Sequence, residues 1–132
     1  MKYVSIVALL AAGFIHLLPV AGIMGASTLA RLYGVEVKDP NVAILLQHRA
    51  LLFGGLALFL LAASALPSLR IAALAVALLS TTSFIVVAAA VGGYNAAIAR
   101  VVLADAVASI LLAAGLVAEL LPVLRLSGRD PS

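Results

Sequence analysis

Four long apolar stretches constrain this chain more than any other feature, because they occupy most of its length. They cover residues 3–24, 41–65, 70–91 and 96–121. Each is long enough for a helix rising about 1.5 Å per residue to cross the hydrocarbon core of a bilayer, which takes roughly 20 residues. None of them alternates polar and apolar residues as the strands of a membrane barrel do. The sequence therefore predicts an all-α fold, a four-helix transmembrane bundle with up-down topology.

The composition agrees with a membrane protein and excludes several other classes. Hydrophobic residues make up 66% of the chain and charged residues 10%, whereas a soluble domain carries roughly 25% charged residues. The length leaves room for one integral membrane domain, residues 1–132, with the lipid bilayer as its main partner. The net charge of +3 forms no basic stripe, so we expect no nucleic-acid partner. The lack of cysteine excludes disulfides and thiolate metal sites.

Turn and capping residues mark the ends of the predicted helices. Asp39 and Pro40 supply an N-cap and a first-turn proline for the second span. Pro67 separates spans two and three, Gly92-Gly93 separates spans three and four, and Pro122 ends the fourth. We interpret the first span as a retained helix, since its apolar stretch exceeds the roughly 7–15 residues typical of a signal-peptide core.

The long connection between spans one and two contains a short helical pattern. It runs from Ser27 to Tyr33 and is followed by Gly34, which is typical of a helix C-terminus. Leu29, Leu32 and Tyr33 lie at i, i+3 and i+4, which favours a short surface helix lying on the membrane. An ordinary surface loop is the alternative, and a lid over a site is a further hypothesis.

Lysine and arginine in the short connections indicate the orientation. With the N-terminus inside, the cytoplasmic side carries four of them and the opposite side three. The chain is therefore predicted to be N-in and C-in, by a small margin. The cytoplasmic residues are Lys2, Arg70, Arg125 and Arg129, and the opposite ones are Arg31, Lys38 and Arg100.

Arg49 lies in the middle of the second apolar stretch, where an uncompensated guanidinium is costly. We counted about 1.5 Å per residue from the end of the bundle that carries the surface helix. This places Arg49 and His16 roughly 12 Å deep and Asp105 roughly 14 Å deep. Further polar groups near this depth belong to His48, Thr82 and Ser83. Every span thus contributes to one polar layer, while the opposite half is almost entirely apolar apart from Glu119 and scattered serines.

The simplest arrangement within this layer is an ion pair between Arg49 and Asp105. A bidentate guanidinium–carboxylate pair lowers the cost of holding both charges away from water. Arg100 is a competing partner for Asp105, but it lies nearer the surface and is expected to extend toward the lipid headgroups.

His16 and His48 have two interpretations that the residues leave open. As a pair at matched depth they would ligate haem or a metal or relay protons, as in a redox or transport component. Alternatively they are neutral and hydrogen-bonded to neighbouring groups, and Pro19 favours this for His16 because it frees the carbonyl of Ile15. No spacing motif identifies a set of metal ligands, so no metal is predicted and the cofactor is unassigned.

Two further patterns bear on partners and on the mouth of the site. Gln47, His48 and Arg49 are consecutive and spread over some 200° of the helix surface, which favours a wide polar cavity or a homo-oligomeric contact. In the turn after span three, Tyr94 and Asn95 offer a hydroxyl and an amide above the polar layer. The alternative there is an interfacial tyrosine and a helix cap.

Short motifs across the chain resemble those of small bacterial four-helix membrane proteins that are broadly DoxX-like. The first half carries Leu32-Tyr33-Gly34-Val35, Asp39-Pro40-Asn41, His48-Arg49-Ala50 and Gly54-Gly55. The second half, from Val91-Gly92-Gly93-Tyr94-Asn95 to Asp105, is similar to a subgroup in which some proteins bear the label phosphopantetheine adenylyltransferase. That activity does not fit this chain, which has no nucleotide-binding α/β domain. The resemblance implies a four-helix bundle in the bacterial inner membrane.

These observations favour a small inner-membrane protein with a polar pocket on one side, acting as a binding or accessory protein. A lipid-like or quinone-like molecule with a polar head suits a polar layer beneath an apolar wall. The predicted ligand-binding residues are His16, His48, Arg49, Tyr94, Asn95 and Asp105. The alternatives are the redox or transport component and a purely structural subunit of a larger membrane complex. No P-loop, G-x-S-x-G or H-E-x-x-H motif indicates an enzyme, and no catalytic residue is predicted.

Overall fold

The computed structural model describes residues 2–127 as a helical bundle without strands in that range. The helices are α1 (Lys2–Leu17), α2 (Ala26–Tyr33), α3 (Pro40–Ala65), α4 (Arg70–Val91) and α5 (Ala96–Ser127). A 3-10 segment, Leu18–Met24, continues α1, and a shorter one, Pro67–Leu69, precedes α4. Four helical spans are long and apolar enough to cross a membrane, which confirms the predicted all-α fold and fits a multi-pass membrane protein. Arg129 and the side chains of Lys2 and Arg125, used above for the orientation, lie outside the described part.

The predicted capping residues act at the start of α3. The Asp39 carboxylate accepts a hydrogen bond from the backbone N–H of Asn41 at 2.8 Å, and Pro40 is the first helical residue. The Asp39 side chain therefore satisfies one of the free N–H groups at the helix start. In the first span, Pro19 cannot donate a backbone hydrogen bond, and the α-helix changes there to a 3-10 helix that reaches Met24.

Helix α5 differs from the prediction at its C-terminal end. The sequence placed the end of the fourth helix at Pro122, but the helix continues through this residue to Ser127. A proline inside a helix removes one backbone hydrogen bond and disturbs the preceding turn, at a cost of about 3 kcal/mol. The helical conformation on both sides of Pro122 shows that this cost is met here without ending the helix.

The core of the bundle is built mainly from leucine and alanine. Helix α1 packs extensively against α3 and α5, α5 packs against α4, and α3 and α4 meet less extensively. Fully buried leucines come from all four long helices, namely Leu9, Leu60, Leu74 and Leu112. Buried alanines between them let the helix backbones approach closely, as is common in membrane bundles.

Gly115 lies where α1, α4 and α5 meet, close to the backbone of α1. A Cβ atom at this position would lie 3.0 Å from Leu74 Cδ2, 3.2 Å from Ala8 Cβ and 3.2 Å from the backbone Cα of Ser5. The leucine can rotate, but the backbone of α1 cannot yield without shifting the helix. A side chain at this position would therefore need its neighbours to move by a few tenths of an ångström.

Replacing Gly115 with alanine is expected to destabilise the bundle, because overpacking of a core costs roughly 1–3 kcal/mol. Gly55→Ala is the matched control, since Gly55 is also helical but a Cβ there would have nothing within 4 Å. The control should be neutral or gain up to about 1 kcal/mol from helix propensity. Unfolding of the two variants by SDS in mixed micelles, followed by circular dichroism, measures the difference. Equal stabilities would contradict the close packing at Gly115.

The surface helix α2 packs more deeply than the sequence suggested. We expected it to lie on the membrane, but Leu29 is fully buried and Tyr33 is 7% exposed. Leu29 packs over Gly22 of the 3-10 segment, where a Cβ would come within 2.7 Å of its Cδ2 atom. The apolar residues at i and i+4 therefore face the bundle and not the lipid. Gly34 ends α2 in a left-handed conformation, as its position in the sequence indicated.

A polar cluster, the Arg70 cluster, lies at the end of the bundle opposite to α2. The Arg70 guanidinium is 3.8 Å from the Glu119 carboxylate and donates a hydrogen bond of 3.0 Å to the carbonyl of Ser64. The Ser5 hydroxyl donates to the same Glu119 oxygen. The cluster thus joins α1, α3, α4 and α5. It was not predicted, because the sequence suggested that Glu119 lies close to the surface.

Candidate functional site

A cavity of about 250 Å³, here called the polar cavity, lies at the α2 end of the bundle. The end of α1, the 3-10 segment, α2 and the four-helix core all contribute to its wall. Most of the wall is apolar. Its polar and charged lining residues are His16, Tyr33, Arg49, Ser80, Arg100 and Asp105.

Arg49 is held among three aromatic rings, here called the aromatic box. Its Cζ atom lies 4.9 Å from the ring centre of Phe53, 5.0 Å from that of Phe84 and 5.7 Å from that of Tyr33. The rings attract the guanidinium through their negative faces, an interaction that strengthens when water is excluded. Within residues 2–127, no guanidinium nitrogen of Arg49 makes a hydrogen bond or an ion pair, so its N–H donors are free.

Asp105 lines the same cavity but is not paired with Arg49. The predicted contact-distance ion pair is not formed, and no hydrogen bond to Asp105 is present among the described residues although it is only 8% exposed; the Arg49 charge still acts on the Asp105 carboxylate at longer range. The three rings of the aromatic box, and not the Asp105 carboxylate, are the direct contacts of the Arg49 guanidinium. A guanidinium and a carboxylate of opposite charge therefore face one cavity without a direct hydrogen bond between them.

His16 is buried next to this pair of charges and is bonded within the chain. Its Nδ1 atom is 2.8 Å from the carbonyl oxygen of Ala12, and its Nε2 atom is 3.3 Å from Ser80 Oγ. A carbonyl only accepts, so Nδ1 carries a proton, and in the neutral ring Nε2 accepts from the Ser80 hydroxyl. The ring also meets Phe53 edge to face at 5.4 Å. These contacts match the hydrogen-bonded interpretation of His16, although the bond reaches Ala12 and not Ile15.

His48 and Tyr94 lie apart from the polar cavity. Both are exposed and neither lines it. Successive residues on a helix are rotated by about 100°, so Arg49 can face the interior while His48 points away from it. Counting residues along the helix predicts the depth of these side chains but not their rotation about the helix axis. The structure therefore brings together His16, Arg49 and Asp105, and it does not bring His48 or Tyr94 to them.

Asn95 has a role next to the cavity, as a link between the α4–α5 turn and α2. Its Nδ2 atom donates to the carbonyl of Tyr33 at 2.9 Å and to that of Gly34 at 3.1 Å. Its Oδ1 atom accepts from the backbone N–H of Ile98 at 2.9 Å and so caps α5. One side chain thus fixes the position of Tyr33 in the aromatic box and starts α5.

Asn95→Asp should separate these two roles, because aspartate keeps the capping oxygen but loses both donors. We expect faster amide hydrogen exchange in α2, where bonds worth about 1 kcal/mol are lost, and unchanged exchange in the first turn of α5. Exchange measured by mass spectrometry on the detergent-solubilised protein reports both regions.

Asn95→Ala removes the cap as well, and it should loosen both regions. Unaltered exchange in α2 for Asn95→Asp would contradict the link.

Several residues of the site were missed by the sequence argument. Phe53 lies four residues after Arg49 on the same face of α3, a spacing that was available as a signal. Tyr33 and Phe84 come from other helices, and nothing local in the sequence connects them with Arg49. Thr82 and Ser83, which were assigned to the polar layer, donate to backbone carbonyls of their own helix, those of Leu78 and Ser80.

A second recess, of about 350 Å³, lies between α3 and α4 and is more open. It shares Arg49, Phe53 and Ser80 with the polar cavity and is otherwise lined by Ser83, Phe84 and Val87. Arg49 therefore stands between an interior space and a groove on the side of the bundle. This groove follows from the limited contact between α3 and α4.

Two further observations concern metal binding and similarity to known proteins. Within residues 2–127, no group of three or more histidine, cysteine, aspartate or glutamate residues could hold a metal ion. No protein-family model, no curated protein and no solved structure matches this chain.

Proposed function

We propose that this chain is a small bacterial inner-membrane protein that binds a lipid-like or quinone-like molecule in the polar cavity. The observation that carries the proposal is the free guanidinium of Arg49, which faces the cavity with unused N–H donors. Arg49 is half-buried, and a ligand with a hydrogen-bond acceptor in its head group would use these donors in a charge-assisted hydrogen bond, which is stronger than one between neutral groups. The apolar wall would take the rest of an amphiphilic molecule.

The binding residues of this proposal are those that share the cavity. Arg49 would donate a hydrogen bond to an acceptor of the ligand's head group. Asp105 would accept a hydrogen bond from a hydroxyl group of the ligand or lie against a weakly polar part of it. Asn95 would act indirectly, by holding Tyr33 in place. A redox or transport role based on His16 and His48 has less support, because His48 is exposed away from the cavity and both nitrogens of His16 are bonded within the chain.

Mass spectrometry of co-purified molecules tests the proposal. The full chain is purified in mild detergent, and extracted small molecules are compared with those from Arg49→Gln and from the control Gly55→Ala. We expect one class of amphiphile to be enriched in the unaltered protein and in the control and to be lost from Arg49→Gln. If all three preparations carry the same bulk lipids, the chain is better described as a structural or accessory subunit without a ligand.

The proposal includes an N-in, C-in orientation, in keeping with the small charge bias of the connections. The chain contains no cysteine, so single cysteines can report the side of each connection. Ser27→Cys, in the first turn of α2, should react with a membrane-impermeant maleimide in intact cells, whereas Ser68→Cys, between α3 and α4, should react only after lysis. The reverse pattern would establish N-out.

A further inference from the structure

The charges on the wall of the polar cavity are not balanced. Two guanidinium groups, of Arg49 and Arg100, and one carboxylate, of Asp105, line it. His16 adds no charge in its hydrogen-bonded neutral form. The excess positive charge belongs to Arg100, which is exposed at the edge of the cavity, while Arg49 and Asp105 carry opposite charges further inside. An anion of single charge would neutralise the cavity.

The arrangement around Arg49 favours a carboxylate as that anion. The aromatic box contacts the guanidinium through ring faces and leaves its hydrogen-bond donors unused. These donors form a planar fork that matches the two oxygens of a carboxylate. Asp105 faces the same space and would repel a second negative charge, which disfavours a doubly charged phosphate monoester.

Size and lining restrict the remainder of the ligand. The volume of about 250 Å³ corresponds to roughly eight water molecules of about 30 Å³ each. This space holds a small head group and the first part of a hydrocarbon chain, and the rest of a longer molecule would lie outside it. Ile15, Leu18 and Val101 supply apolar surface inside the cavity, and the groove between α3 and α4 offers a path to the outside of the bundle.

We infer that the ligand of the polar cavity is a single-chain carboxylic acid, bound as its carboxylate to Arg49 with its chain along the apolar wall. The inference rests on the proposed function and specifies the ligand class. Arg100, at the exposed edge of the cavity, attracts the head group without holding it in place.

Displacement of a fluorescent undecanoic acid from the full chain in phosphatidylcholine nanodiscs tests this inference, with empty nanodiscs as background. The competitors are dodecanoate, 1-dodecanol, dodecyl phosphate and a short-chain ubiquinone. We expect dodecanoate to compete at least about tenfold better than the others, because a charge-assisted bidentate contact is worth roughly 10- to 100-fold in affinity. Arg49→Gln should lose this preference, Arg49→Lys should keep part of it, and Gly55→Ala should match the unaltered protein.

The outcomes separate the two proposals. If ubiquinone or dodecanol competes as well as dodecanoate, the carboxylic acid is excluded while an amphiphile-binding function stands. If dodecyl phosphate competes best, the argument from Asp105 is wrong. If no competitor displaces the probe, both proposals fail. Should Arg49→Gln not fold, Arg100→Gln serves instead, and it should weaken dodecanoate several-fold without changing dodecanol.

Discussion

Arg70→Met is expected to destabilise the protein by about 3 kcal/mol, the lower end of the range for breaking a buried ion pair. The side chains of Arg70 and Glu119 are 9% and 22% exposed. Loss of the guanidinium leaves the Glu119 carboxylate with Ser5 as its remaining partner in the Arg70 cluster. The carbonyl of Ser64 loses its donor as well. The free energy of unfolding in SDS mixed micelles measures the effect.

The double variant Arg70→Met/Glu119→Leu should recover most of this loss, because a buried ion pair replaced by apolar residues is often neutral or stabilising. The matched control is the Lys38–Glu36 pair, whose side chains are 79% and 72% exposed. Glu36→Gln should change stability by less than about 1 kcal/mol, as is usual for exposed pairs. If the double variant is no more stable than Arg70→Met, the cluster is not held by charge pairing.

Loss of Arg49 is the second change with a large expected effect. Arg49→Gln removes the interaction with three rings, and each cation–π contact contributes about 0.5–2 kcal/mol depending on its hydration. It also leaves the Asp105 carboxylate as the remaining buried charge of the polar cavity. We expect a loss of roughly 2 kcal/mol in unfolding free energy, a smaller loss for Arg49→Lys, and partial recovery when Asp105→Asn is added to Arg49→Gln.

Phe84→Leu isolates the aromatic contribution, because it removes a ring 5.0 Å from the guanidinium and keeps an apolar side chain. Phe14→Leu is its control, since Phe14 is 62% exposed on the outside of the bundle. A double-mutant cycle of Phe84 with Arg49 should give a coupling of about 1 kcal/mol. Zero coupling would mean that the aromatic box does not stabilise the charge.

The sequence predicts the helices of this protein well because length and hydropathy determine which segments can span a bilayer. The bounds of α4 match the prediction, and Asp39 caps α3 as expected. The error at Pro122 arose because proline weakens a helix without always ending it. Element type and depth along the helix axis are local properties, and they were accessible without the structure.

Rotation about the helix axis was not accessible, and it decides which side chains meet. Counting depth grouped Arg49, His16 and Asp105 correctly at one end of the bundle, but it included His48, which is exposed. The same limitation concealed the Arg70 cluster, in which Glu119 turns inward. Long-range contacts such as those of Phe84 with Arg49 depend on how four helices pack together. No short motif in a single sequence encodes that packing.

The glycine at the meeting point of three helices gives the bundle a stiff end and a pliable end. At the stiff end, Gly115 lets α1, α4 and α5 touch, and the Arg70 cluster adds cross-links between them. At the other end, Leu29 of α2 packs on the 3-10 segment beside the polar cavity, and Asn95 links α2 to the α4–α5 turn. Fluctuations that separate the helices should therefore start near α2, while the helices stay together at the Gly115 end. We expect such an opening to expose Arg49 before the helices separate at Gly115.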